Sequence, residues 1–280
     1  MRFEGKEVLL TGGAGGLGGL VARQLEHEGA RVCVLDRSTP VGVSEFLCQD
    51  LASAEGIEAA ATAASGRRVD LLFNLAGIQH FGPLEAQSPE HLVESYMVNL
   101  VAPVRLTQAV LPQMRARGGG HVVNVGSIFG SINFAHFVTY SSAKAGLRGF
   151  SQALRRELAG SGIDVTYVAP RAVNTPLNTA KVKEFARLTG MNMDQPQAVA
   201  HRIVDVVAAR KREAYLGFPE SLFVRLNALL PGLVDRALSG NDRKAARLFA
   251  PSNDGRDPGH TSARHAPQLT PGHPRERTIP

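Results

Sequence analysis

Cysteine is scarce in this chain: Cys33 and Cys48 are the only two in 280 residues. Both stand in apolar runs, so they read as buried free thiols rather than a disulfide framework, which suits a reducing compartment. Residues Met1 to Lys6 hold no apolar signal region. No stretch approaches the roughly 18 uninterrupted apolar residues of a membrane span. A cytoplasmic location is expected. No group of histidine, cysteine and carboxylate residues has metal-ligand spacing, so no metal is expected. Basic residues exceed acidic ones, giving a formal charge of +6. Yet Arg210-Lys211-Arg212 and Arg243-Lys244 are not interleaved with aromatics. They read as a solvated face, and no nucleic-acid partner is expected.

What is present is a full complement of apolar residues, 44% of the chain, enough for one large α/β domain or two small ones. A short apolar run from Glu7 to Leu10 ends at Thr11-Gly12-Gly13-Ala14-Gly15-Gly16-Leu17-Gly18. Helical spacing follows through Leu20, Val21 and Leu25, and Arg31 to Leu35 then reads as a buried strand closed by Asp36. This is a βαβ unit with a phosphate-binding turn. Its glycines let the backbone approach a pyrophosphate, and the helix N-terminus offers unpaired amides. A carboxylate at the end of the second strand can accept hydrogen bonds from adenosine ribose hydroxyls. Asp36 would repel a 2′-phosphate, which favours NAD(H). Arg37 beside it could receive that phosphate, which keeps NADP(H) open.

Strand and helix signals keep alternating. Ser44 to Cys48 leads to Asp50-Leu51 and an alanine-rich helix; Val69 to Phe73 leads to Asn74-Leu75-Ala76-Gly77. A helix opens at Ser88-Pro89, with Ser88 as N-cap, and carries on toward Asn99; another runs to about Arg117. His121 to Val125 is a strand whose end bears Ser127, and Ile163 to Val168 is one ending at Pro170. A last helix, about 197–210, precedes the strand Ala214-Tyr215-Leu216. The pattern predicts a Rossmann-like, doubly wound parallel sheet flanked by helices on both faces. Ligands of such sheets lie beyond the carboxyl ends of the strands, where Asn74, Ser127 and Pro170 converge.

Tyr140 and Lys144 lie one turn apart on a single helix face. A phenol titrates near ~10, but a neighbouring ammonium favours the phenolate and brings it toward working pH. Alone this spacing is a weak pattern. Asn74 and Asn99 have an alternative reading as turn or capping residues, and Asp50 as the N-cap of the helix after it. His136 reads as a loop or substrate-edge residue rather than a second base.

Together, Thr11-Gly12-x-x-x-Gly16-x-Gly18, Asn74-Leu75-Ala76-Gly77, Asn99, Ser127 and Tyr140-x-x-x-Lys144 resemble the short-chain dehydrogenase/reductase family in its short single-domain form, over about residues 5–217. The resemblance implies an oxidoreductase passing a hydride between a nicotinamide and a secondary alcohol or ketone. It casts Tyr140 as general acid/base, Lys144 as its partner and a nicotinamide-ribose ligand, Ser127 as holder of the substrate oxygen, and Asn99 as support for a water-linked proton path. It places Gly12, Gly16, Leu17 and Gly18 at the pyrophosphate, Asp36 and Arg37 at the adenosine end, and Asp50 and Leu51 near the adenine. The segment of Asn74, Ala76 and Gly77 would border the ribose and stabilise the sheet. Pro170, Val173 and Thr175 would close on the nicotinamide. Arg171 stands where the family has glycine. Alternatives are an NADPH-dependent biosynthetic ketoreductase of acyl chains and a nicotinamide-binding regulatory protein without turnover. Homodimers or homotetramers are expected from the resemblance alone.

The catalytic domain is expected over 1–220, with a lid at about 175–195 in which Val182, Phe185 and Leu188 have helical spacing. Aromatic and aliphatic residues in the loops, Phe81, Phe129, Phe134 and Phe137 among them, hint at a lipophilic substrate. Residues 221–250 form an amphipathic extension that could pack on its own domain, on a sister subunit or peripherally on a membrane. From about 251 the chain is expected to be disordered.

Overall fold

The glycine- and proline-marked breaks in the sequence become the loops of a single twisted sheet in the computed structural model, which describes residues 1–40, 42 and 45–250. In order, the first half holds β1 (Glu7–Thr11), α1 (Gly16–His27), β2 (Arg31–Asp36), β3 (Glu45–Cys48), α2 (Ala54–Ser65) and β4 (Leu71–Asn74). Next come α3 (Pro89–Tyr96), α4 (Ala102–Ala116), β5 (Gly120–Val125), α5 (Val138–Glu157) and β6 (Ile163–Pro170). The remainder is α6 (Ala180–Thr189), α7 (Pro196–Ala208), β7 (Glu213–Leu216), α8 (Glu220–Leu229) and α9 (Pro231–Arg247). The seven strands pair in parallel in the order β3-β2-β1-β4-β5-β6-β7. The order reverses beside β1, so a crevice opens between the carboxyl ends of β1 and β4.

Strands buried on both faces read as continuous apolar runs, because alternate side chains feed two separate cores. On one face Leu10, Val34, Phe73 and Val123 meet Val21 and Leu25 of α1 and Ile203 of α7. On the other, Leu9, Leu35, Leu72 and Val122 meet Ile57 of α2, Leu106 and Met114 of α4, and Leu154 of α5. Each such side chain contributes about 1.5–3 kcal/mol through burial. Cys33 is buried in this second core, but Cys48 is exposed. It ends the edge strand β3, which only β2 covers, and this corrects the expectation that both thiols are buried.

Ser88 caps α3 as expected, accepting the His91 amide at 3.2 Å with Pro89 in the first turn. The helix does not run straight on through Asn99. A π-helical turn, Met97–Val101, lies between α3 and α4. Two local features favour the widening: Pro103 has no amide to give, and the Asn99 side chain takes the Ser95 carbonyl at 2.8 Å. The expected strand start at Ser44 lies outside the described residues, as does the tail expected to be disordered. Helices α8 and α9 belong to one unit, Met1–Phe249. Val224 and Val234 pack there against Ile128 and Ile132.

Candidate active site

The turn after β5 is fixed from below. A Cβ on Gly126 would stand 2.2 Å from the Tyr167 ring, and the Tyr167 hydroxyl donates to the Ser127 carbonyl at 3.3 Å. Ser127 Oγ accepts the Phe129 amide at 3.1 Å and opens a single 3₁₀ turn. That turn lies flush on α5, since a Cβ on Gly130 would meet the Lys144 carbonyl carbon at 2.6 Å. Tyr140 and Lys144 share the face of α5 turned toward Ser127 and the cleft; they are 8% and 3% exposed. Lys144 Nζ donates to the Val125 carbonyl at 3.1 Å and lies 5.9 Å from the centre of the Tyr140 ring.

Burial sets the electrostatics here. Loss of water raises the pKa of Tyr140, opposed by its hydrogen bond with Ser127. The same desolvation lowers Lys144 to about 8. In the protein alone, then, the lysine is not the leading influence on the phenol. Desolvation of the phenol therefore leaves Tyr140 above its ordinary value, against the expected lowering.

Asn99 is fully buried on the π-turn, its amide donating to Ile78 and Ser95 carbonyls, both at 2.8 Å. Its Oδ1 has no hydrogen-bond partner among the described residues. A Cβ on Gly77 would stand 3.0 Å from that oxygen and 3.5 Å from Lys144 Nζ, so the glycine keeps the space between them open.

The arm of the cleft at the end of β1 is shaped by glycine as well. Gly12 has φ 81°, and a Cβ there would meet Ala76 Cα at 2.7 Å. A Cβ on Gly18 would fall 2.1 Å from the Gly12 carbonyl oxygen. Thr11 Oγ1 accepts the Leu75 and Ala76 amides, both at 3.1 Å, tying the next strand end to the turn. Asp36 accepts the Ala14 amide at 3.0 Å and the Ser38 amide at 3.1 Å, so its carboxylate is held against the glycine turn. Asp50 accepts the Ala52 amide at 3.0 Å, while Ser53, not Asp50, caps α2 through the Gly56 amide. Opposite, Thr175 and Pro176 come against Gly16, with a Gly16 Cβ falling 3.1 Å from Pro176 Cδ.

These parts surround one cleft of about 640 Å³. Of the residues expected to hold a cofactor, Gly12, Gly16, Leu17, Gly18, Asp36, Arg37, Asp50, Leu51, Ala76, Gly77, Tyr140, Lys144, Pro170, Val173 and Thr175 line it. Asn74 does not. Its side chain turns into the core, donating to Asn124 Oδ1 at 2.8 Å, which continues through Ser151. The residue fastens β4 to β5 and α5, which is the sheet-stabilising part of the role expected of its segment. The cleft is long, and its glycine-lined arm leaves backbone open to a pyrophosphate, so its residues fit a dinucleotide.

Such an arrangement has a counterpart among known proteins. The family model described as short chain dehydrogenase matches residues 6–185. The chain belongs to the short-chain dehydrogenase/reductase family. It is accordingly an oxidoreductase acting on CH–OH and C=O groups, in a family whose cofactor is NAD(H) or NADP(H). It is 31% identical over 256 residues to the ketoacyl reductase HetN of Nostoc sp., covering 83% of this chain and 88% of that protein. Among solved structures it is similar to a short-chain dehydrogenase from Streptomyces avermitilis, with a TM-score of 0.70, 30% identity and coverage of 88% and 99% of the two chains. It is also similar to a protein from Beutenbergia cavernae assigned as an NAD(P)-dependent gluconate 5-dehydrogenase and solved with NADP at low occupancy. There the TM-score is 0.68, the identity 27%, and the coverage 76% and 94%.

Sequence reasoning missed several members of this short-chain dehydrogenase cleft. His91 and Glu94 of α3 line it, and only their helical spacing could have pointed to a shared face. Arg171, which the sequence marked as a departure from the family, lines it as well. Gln79 donates to the Leu177 carbonyl at 2.9 Å and to Asn178 at 3.1 Å, joining the loop after β4 to the turn before α6. The substrate end is walled by Phe129, Phe137, Val182, Phe185 and Met191. His136 is not among the lining residues; its ring lies 5.2 Å from that of Phe249.

Proposed function

We propose that the protein transfers hydride between NAD(H) and a lipophilic secondary alcohol or ketone, with Tyr140 as general acid/base. The observation that carries this reading is the burial of Tyr140 and Lys144 together on the cleft face of α5, with Ser127 fixed beside them. Bound nicotinamide would supply or accept the hydride. In the reductive direction the Tyr140 hydroxyl gives its proton to the carbonyl oxygen; in the oxidative direction Tyr140 takes it from the alcohol. Ser127 Oγ holds that oxygen. Lys144, about half protonated near pH 8, stabilises the deprotonated phenol and binds the nicotinamide ribose. Asn99 Oδ1, across the space kept by Gly77, anchors the proton path toward Lys144. The aromatic walls exclude water and hold an apolar substrate, so orientation supplies part of the rate.

The preference for NAD(H) is supported by Asp36, whose carboxylate is tied to the glycine turn where an added 2′-phosphate would meet it. A second reading, an NADPH-dependent ketoreductase of acyl chains, is favoured by Arg37, which lines the same end of the cleft. Self-association as a dimer or tetramer is supported by the exposed Val93, Val101, Val104 and Val138 on and between α3, α4 and α5. A turnover screen of hydrophobic alcohols, ketones and 3-oxoacyl thioesters with each cofactor tests these readings. NADH-linked turnover of simple ketones supports the first, and exclusive NADPH-linked turnover of acyl thioesters supports the second.

A further inference from the structure

Helices α8 and α9 bury one face and leave another in water. Val224 and Val234 pack inward on Ile128 and Ile132. Outward, Phe218 (74% exposed), Leu222, Phe223, Leu229 (79% exposed), Leu230 and Leu233 remain uncovered. At about 100° per residue, Leu222 and Leu229 lie on the side of α8 opposite Val224. The break at Leu230-Pro231 gathers Leu229, Leu230 and Leu233 at one corner of the pair. Among the described residues this is the densest set of exposed large apolar side chains, and six such groups within one short stretch are unusual for a surface facing only water.

The charges around the stripe have one predominant sign. Residues 221–249 carry five basic side chains, Arg225, Arg236, Arg243, Lys244 and Arg247, against two acidic ones, Asp235 and Asp242. All five basic residues are exposed. On α9, Arg236, Arg243 and Arg247 fall on the side opposite the buried Val234 and Ala245. None of the four arginines has a carboxylate within ion-pair distance among the described residues.

We propose that the α8–α9 pair docks on an anionic lipid surface, its apolar stripe entering the headgroup boundary and its arginines meeting lipid phosphates. A second copy of the chain is the poorer occupant. A two-fold contact lays a patch on its own copy, so the unpaired arginines would be brought toward one another. The exposed valines of α3 to α5 offer a separate face for self-association. The docking surface also adjoins the lid. Lys244 Nζ donates to the Leu188 carbonyl at 2.8 Å, and Ala245 and Leu248 pack with Val182 and Phe185. A lipophilic substrate would then reach the cleft from the bilayer side. This last consequence rests on the proposed function; the docking itself does not.

The test is co-sedimentation of the full-length protein with phosphatidylcholine vesicles, with and without about 30% phosphatidylglycerol, which lowers the surface potential felt by basic residues. The expected result is at least about tenfold stronger partitioning onto the anionic vesicles, lost as salt rises toward ~0.5 M. Arg225→Gln combined with Arg236→Gln should weaken it by about 25-fold, at roughly fivefold per surface charge. Leu229→Ser with Leu230→Ser should weaken it too, with NADH binding and melting temperature held at the wild-type values. Where a variant fails to fold, the lipid and salt dependence of the unaltered protein still decides. Equal partitioning onto neutral and anionic vesicles, or none, overturns the proposal. So does vesicle binding that survives both variants, which places it elsewhere in the chain. A dimer in solution dispersed by Leu229→Ser with Leu230→Ser, without vesicle binding, overturns it in favour of the second copy.

Discussion

Arg171 grips Asp194 through two parallel hydrogen bonds, Nε to Oδ2 at 2.9 Å and Nη2 to Oδ1 at 2.7 Å. The remaining Nη1 reaches Glu220 and the Phe218 carbonyl, both at 3.1 Å. One guanidinium thus joins the turn after β6, the stretch between α6 and α7, and the entry to α8. Asp194 completes the tie by exchanging backbone hydrogen bonds with Ala172 and Asn174. Gly217 is required for this packing, because a Cβ there would stand 2.5 Å from Arg171 Cδ.

Arg171→Ala is expected to leave two largely buried carboxylates without their cation and to lower stability by about 2 kcal/mol. A fall of about 4–8 °C in melting temperature checks this. KM for the carbonyl substrate should rise more than kcat falls, since the cleft wall after α6 is loosened while Tyr140 stays in place. Arg171→Lys should restore only part of either, because an ammonium cannot form the two-pronged contact.

Lys144→Met should stabilise the ligand-free protein at pH 7. The folded pKa of about 8 lies below the free value of 10.5, so burying the charged form costs stability. The penalty is full below about pH 8, shrinks as pH rises and is gone above 10.5. It amounts to about 3 kcal/mol, or about 2 after loss of the hydrogen bond to the Val125 carbonyl. Melting curves of wild type and variant should therefore differ most at pH 7 and converge near pH 10.5. A wild type more stable than the variant at pH 7 would refute the assignment of cause.

Asp36→Asn keeps an oxygen for the Ala14 amide and removes the charge. The ratio of NADPH to NADH dissociation constants should fall by about tenfold, roughly 1.4 kcal/mol. Fluorescence titration with both cofactors reads this directly, and an unchanged ratio would remove Asp36 as the ground for the proposed preference for NAD(H).

Gly18→Ala forces a methyl to within 2.1 Å of the Gly12 carbonyl oxygen. The turn must open, at a cost of about 1–3 kcal/mol. NADH binding should weaken at least about tenfold while the circular dichroism spectrum is retained.

Much of this was legible in the sequence for identifiable reasons. Strands covered on both faces leave unbroken apolar runs, and a helix places Tyr140 and Lys144 on one side by its period alone. Other features left no periodic trace. The π-turn at Asn99 adds a single residue to a turn, which apolar spacing does not register. The inward aim of Asn74 depends on strand alternation, where one residue of register exchanges core for cleft. Cys48 is exposed because β3 lies at the sheet edge, a fact of strand order rather than composition. Arg171 was visible as a departure from the family, but its partners Asp194 and Glu220 lie far along the chain and only folding brings them to it.

The central claim is that Tyr140 moves the proton. The most direct measurement is turnover and NADH affinity of Tyr140→Phe, on whichever carbonyl substrate gives the highest wild-type rate. The Tyr140 hydroxyl is the group removed, and the ring that packs 6.4 Å from Phe129 is kept. In the variant kcat should fall by about 10²–10⁴-fold, the range of a lost general acid/base, with the NADH dissociation constant within about threefold of wild type. Turnover within about threefold of wild type, at any pH, would contradict it.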